Sequence, residues 1–201
     1  MPGELYREFI YKYYKHLFVL LSVFCWSCAS TAPLPPGSRF YNTEFPLSTE
    51  TAYSVSTPLE VKIPTGWFTA EDNDCKCIDL WLIRNDFSAA INLVQLDTPL
   101  IIDSLETELN RILAVSKETK SDKLPNGFIQ SKEDEFFVLN DRKYAAYEYQ
   151  GDEGMPIRVV VFRYNDKYFE LSAVPAAGVG KRSVNTIELF NVQQSVLSSL
   201  K

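Results

Sequence analysis

From Leu59 to Pro64 the apolar residues Leu59, Val61 and Ile63 alternate with Glu60 and Lys62. This predicts a half-buried strand that enters a turn at Thr65 and Gly66. Between Cys75 and Arg84 both faces are apolar, with Ile78, Leu80 and Leu82 on one side and Trp81 and Ile83 on the other. Such a strand is covered on both sides. Asn85 and Asp86 then turn the chain into SAAINLVQLD, the second arm of a hairpin. The period changes after Asp103: Leu105, Leu109, Ile112 and Leu113 share one helical face, Asp103 and Glu106 open the helix, and it fades over 117–120. Strand patterns return at Phe136 to Leu139 and Lys143 to Tyr149, joined by Asn140 and Asp141. They recur at Ile157 to Tyr164 and Tyr168 to Val174, joined by Asn165 and Asp166. In the last arm Phe169, Leu171 and Ala173 face the core, and Tyr168, Glu170 and Ser172 face water. A final helix enters through Asn185 or Thr186, turns Ile187, Phe190, Leu197 and Leu200 inward, and leaves Glu188, Gln194 and Ser198 in solvent.

Hairpins with tight turns pair antiparallel, and two amphipathic helices need an apolar sheet face to cover. The predicted fold is therefore α+β, a largely antiparallel sheet of five to seven strands with two main helices packed on it. Phe68 follows Trp67 in extended chain and must point to the opposite face.

The N-terminal third has a different texture. Leu17 to Trp26 is ten residues without a charge, about 15 Å if helical and half of what a hydrocarbon core requires. Arg7, Lys12, Lys15 and His16 precede it, and small residues and prolines follow, the order of an export signal over 1–27. Residues 28–57, with Pro at 33, 35, 36 and 46, read as a Pro/Ser/Thr-rich stalk, which leaves 58–201 as a single domain. Cleavage before Cys28 resembles bacterial lipoprotein processing and makes Cys28 the lipid anchor, on the periplasmic side of a membrane. Cleavage after Ala32 releases a soluble secreted or periplasmic form.

Charge and composition narrow the classes of function. The full chain carries −6; its first 27 residues hold three basic and two acidic groups, so removing them leaves −7. An acidic chain without a basic cluster excludes nucleic acid as a partner. The one histidine, His16, lies in the signal, which removes histidine triads and two-histidine metal centres. Cys75 and Cys77, if they lie two apart in an extended strand, do not converge for a bridge and read as buried structural thiols; a bridge needs a tight turn, and a strained or intermolecular disulfide is the alternative. Gly178 and Gly180 before Lys181 and Ser183 miss the phosphate-loop spacing. Asp72, Asn73 and Asp74 are oxygen donors, but the alternating ligands and turn glycine of a calcium loop are absent. No cofactor and no metal follows from this chain.

VKIPTGW at 61–67, the early strand pair, the helix, the strand meander and the closing FNVQQSVLSSLK resemble the PsbP-like superfamily, which includes small bacterial lipoproteins of unassigned role. The resemblance spans 58–201. It implies an extrinsic or accessory subunit that binds a larger envelope protein and has no catalysis of its own. The candidate partner surface is Trp67, Phe68, Glu71, Asp72, Asn73 and Asp74, aromatics and an acidic loop mounted on a rigid sheet. Taken alone, Trp67 reads as a core plug. Tyr41 and Phe45 near the stalk are further aromatic candidates, whereas Tyr147, Tyr149, Tyr164 and Tyr168 read as ladder packing within the sheet. The rival reading is a carboxylate-dependent enzyme acting on an envelope glycan, which requires two acids placed in one cleft.

Overall fold

The computed structural model describes residues 38–40, 45–71, 77–100, 104–124, 127–151, 154–176 and 184–201. The chain divides into two units, Met1–Leu34 and Pro35–Lys201. The first, on which the expected export signal and the expected anchor Cys28 fall, lies outside the described residues, as do Tyr41, Asp72, Asn73, Asp74, Cys75 and the glycines at 178 and 180.

Among the described residues of the second unit there are ten strands and two helices. They are β1 (Ser38–Phe40), β2 (Leu47–Tyr53), β3 (Glu60–Pro64), β4 (Trp67–Ala70), β5 (Leu80–Arg84) and β6 (Ala89–Leu96), then α1 (Leu105–Lys123). β7 (Gln130–Leu139), β8 (Arg142–Gln150), β9 (Pro156–Tyr164), β10 (Lys167–Pro175) and α2 (Thr186–Ser198) complete the chain. The main sheet runs β1-β7-β8-β9-β10-β6-β5-β4, and β2 and β3 form a second, two-stranded sheet. Seven strands of the main sheet are antiparallel, and β1 adds to β7 in parallel over Phe136 to Val138. The α+β expectation holds.

Local chemistry explains the hairpins. Asn140, Asp141, Asn165 and Asp166 all have positive φ, the conformation that two-residue turns between twisted strands demand and that Asn and Asp tolerate. The β5–β6 connection is longer than its Asn-Asp pair suggested: Phe87, at φ 58, is the left-handed residue there. The Arg84 guanidinium and then the Ser88 hydroxyl hold the Asp86 carboxyl well below the usual carboxylate range and fasten this loop.

Both faces of the sheet are covered at its centre. On one, α2 and the β2–β3 pair enclose Val61, Ile63, Trp67, Leu82, Ile91, Phe162, Phe169, Leu171 and Val196. Rings step across four strands there: Phe137 to Tyr144 at 5.2 Å, Tyr144 to Phe162 at 5.6 Å, and Phe162 to Phe169 at 5.8 Å. On the other face α1 lays Leu109, Ile112 and Leu113 over Tyr147, Val159, Val161 and Tyr168. Tyr147 and Tyr149 pack against each other and against Phe128, as ladder residues.

Several expectations need correction. The side of β10 read as wet is dry: Tyr168, Glu170 and Ser172 are buried. Glu170 escapes the desolvation cost because Lys120 pairs with it and Ser116 Oγ donates to it at 2.7 Å. α1 starts at the Ser104 cap and continues to Lys123, with Lys120 and Lys123 in its last turn, where basic side chains favour a helix C-terminus. α2 is rotated from its expected stripe. Leu189, Val192, Val196 and Leu197 face the core, Gln193 and Gln194 are buried with them, and Ile187 is 71% exposed. β1 and β2 fall within the expected stalk. β2 carries the strand-favouring residues Thr49, Thr51 and Tyr53 and pairs with β3 despite the flanking prolines.

The cysteine expectation fails at Cys77. The residue is exposed and disulfide-bonded. The geometric argument against a bridge assumed a strand, and the strand begins only at Leu80.

Candidate functional site

A cleft of about 470 Å³ lies between the start of β7 and the outer side of α2. Its shape begins with a register fault. Lys132 pairs with Glu148 and Glu135 with Ala146, so Glu133 and Asp134 together oppose one residue of β8. A bulge of this kind re-aims side chains and twists a strand edge. Lys132, Glu133, Asp134 and Glu135 line one wall, Ile187, Phe190 and Asn191 of α2 line the other, and Glu148, Arg158 and Gln194 close the floor.

Arg158 is 2% exposed, directly before the apolar run Val159–Phe162 of β9. Its burial is tolerable because its donors are met. Nη1 donates to Gln193 Oε1 at 2.8 Å and Nη2 to Glu135 Oε2 at 3.1 Å. Gln194, its amide oriented with the oxygen toward the guanidinium, accepts from Nη1 at 3.2 Å and Nη2 at 3.0 Å. The guanidinium also lies 5.3 Å from the Phe137 ring centroid. Gln193 in turn donates to the backbone carbonyls of Leu171 and Arg158 at 2.7 and 3.1 Å, which ties α2 to the sheet. Around the rim Lys132 pairs with Glu148 at 2.9 Å and Lys117 of α1 reaches Asp134 at 2.5 Å.

This arrangement does not suit acid–base chemistry. A glycosidase pair needs one carboxyl in apolar surroundings beside an ionised one. Here Asp134, Glu135 and Glu148 are each paired with a cation, and Glu133 is exposed to water. Two carboxylates are buried elsewhere, under α1. Glu108 accepts from Tyr168 Oη at 2.6 Å and Arg163 Nη1 at 3.3 Å, and Glu170 from Ser116 and Lys120. Neither lines the cleft. Tyr147 Oη sits 2.8 Å from Ser116 Oγ, and burial pushes its hydroxyl pKa far up. Among the described residues no three His, Cys, Asp or Glu side chains converge as metal ligands.

The surface expected from the sequence is split between two faces. Trp67 is 7% exposed and belongs to the core under α2. Phe68 points the other way, half-buried, and meets Phe87 edge-on with ring centroids 5.8 Å apart. Phe87 is 57% exposed although it is a bulky residue in left-handed backbone. Glu71 is exposed. Phe45 rests half-buried against the core, its backbone N–H donating to Ser195 Oγ at 3.1 Å.

A second hollow of about 450 Å³ lies at the start of α2, beside Trp67 and Arg84. Three of its polar side chains are committed: Asn185 caps the N–H groups of Ile187 and Glu188, and Arg84 pairs with Asp86. Sequence reasoning missed the cleft. Two adjacent glutamines in the middle of an apolar helix and an arginine inside IRVVVF were the signals that could have located its floor.

No family model matches the sequence, and no curated protein matches it. The fold is found among solved structures. The solution structure of cyanobacterial PsbP (CyanoP) from Synechocystis sp. PCC 6803 aligns with a TM-score of 0.53 at 13% identity, over 76% of this chain and 91% of that one. The architecture of the domain is thus PsbP-like.

Proposed function

We propose that this chain is a non-catalytic accessory domain that works on the envelope side of a bacterial membrane by binding another protein. The observation that carries the reading is the Phe68–Phe87 pair. A large exposed aromatic is held in a backbone conformation costing about 1–3 kcal/mol, next to a second ring, on a loop braced by Arg84 and Asp86. Such strain is retained where a surface is used, and aromatic anchors dominate many interfaces. The role implied by the PsbP-like resemblance, and a cleft whose buried carboxylates are all paired, support the same reading.

The domain reaches that compartment through the export segment at 1–27. In the first form of the proposal it acts as a soluble binding module once the signal is removed. In the second, Cys28 carries lipid and tethers the domain to the membrane. Intact mass of the protein from its host separates the two: a diacylglyceryl increment on Cys28 selects the tether, and a product beginning at Pro33 selects the soluble form.

Affinity capture with wild type and Phe68→Ala, alongside thermal unfolding of both, tests the binding role. The proposal expects capture to fall with little change in the melting temperature. Unchanged capture with a large loss of stability removes this surface.

A further inference from the structure

The cleft has a chemistry of its own, and the following assignment rests on the accessory reading above. We infer that it holds a segment of the partner protein presenting a lysine or arginine beside an apolar side chain. The basic group meets Glu133 and the apolar group rests on Ile187 and Phe190. Charge is the first argument. Four acidic and two basic residues line the cleft, and both cations are committed, Lys132 to Glu148 and Arg158 to Glu135 and the two glutamines. The buried arginine is therefore no receptor for phosphate or carboxylate. Asp134 is taken by Lys117, which leaves Glu133 as the cleft carboxylate with no partner among the described residues.

The second argument is the opposite wall. Ile187 is 71% exposed on the first turn of α2, whose core contacts come from other positions, and Phe190 beside it is half-buried. The β7 bulge sets Glu133 across from this apolar wall. A bare divalent ion would need several uncommitted oxygens. A single ammonium or guanidinium on an apolar backbone segment needs one carboxylate and one apolar contact, which is what the cleft offers.

Titration of the ¹⁵N-labelled chain with the capped peptide acetyl-Leu-Lys-Leu-Lys-amide, read by amide chemical shifts, tests the assignment. The expected result is saturable shifts centred on Glu133, Ile187 and Asn191. They should weaken about tenfold with acetyl-Ser-Lys-Ser-Lys-amide or in Glu133→Lys, and vanish with acetyl-Leu-Glu-Leu-Glu-amide. Both Glu133→Lys and Ile187→Ser change exposed side chains, and dispersion of the same spectrum reports that the fold is intact. Shifts spread over the acidic surface, or unaffected by Glu133→Lys and Ile187→Ser, overturn the assignment. Capture of a partner that is lost in Phe68→Ala but untouched by Glu133→Lys removes the cleft assignment alone, and absence of capture by wild type removes the accessory reading with it.

Discussion

Replacing Arg158 with Met tests whether the cleft floor is structural. Met keeps most of the stem volume over Phe137 and removes the charge. The Arg158 side chain is 3% exposed and that of its partner Glu135 is 16% exposed. Breaking a buried pair by removing one partner costs about 3–5 kcal/mol. Because Glu135 keeps some access to water through the cleft, the lower end applies, about 3 kcal/mol, with the bonds to Gln193 and Gln194 included. For a domain of this size, with a urea slope of roughly 1.5–2 kcal/mol/M, the midpoint should fall by about 1.5–2 M. Trp67 and Trp81 provide the fluorescence signal. Glu135→Gln retains an acceptor and should cost about 1–2 kcal/mol, and the double variant should cost less than the sum, since the two residues act as a pair. An Arg158→Met cost below about 1 kcal/mol, or sulfate that stabilises wild type but not this variant, would show an arginine free to bind anions and would refute the reasoning.

Three further outcomes follow from particular contacts. Burial raises the Tyr147 hydroxyl pKa above its unfolded value near 10, so the stability it contributes is complete below that pH and declines as pH rises above it; Tyr147→Phe should flatten this alkaline decline, and an unchanged slope in urea midpoints above pH 10 would contradict it. Phe87→Gly relieves left-handed strain while losing an edge contact with Phe68, so stability should change by less than about 1 kcal/mol while partner capture falls; a loss above about 2 kcal/mol would make Phe87 a structural residue. Cys77, exposed and bridged, should resist alkylation until mild reduction and then label promptly without unfolding; prompt labelling of the unreduced protein would count against the disulfide.

The hairpins were legible because Asn-Asp pairs between alternating runs encode a local conformation, and the structure places positive φ at 140–141 and 165–166. Strand faces were legible where one layer decides burial, as at Leu59, Val61 and Ile63. They were not legible at Tyr168 and Glu170. A polar residue made dry by a salt bridge from α1, far along the chain, looks like a solvated one. α2 was misread for the same reason. Gln193 and Gln194 are buried because the sheet offers them two carbonyls and a guanidinium, and counting them as polar rotated the inferred core stripe toward Ile187. The Phe68 direction followed from strand alternation alone, but its partner Phe87 did not, because the Asn-Asp pair at 85–86 suggested a shorter turn. The cleft depends on a register fault between β7 and β8, and no single-chain pattern announces a bulge that has no glycine.

Site-specific photo-crosslinking in the native host tests the central claim most directly. Benzoylphenylalanine placed at 87, at 187 and, as a control, at exposed position 50 reports which faces touch another protein in the cell. The accessory reading predicts a discrete adduct of one size at 87 and at 187, and none at 50. Adducts of equal yield at all three positions, or none at 87 and 187, would contradict it.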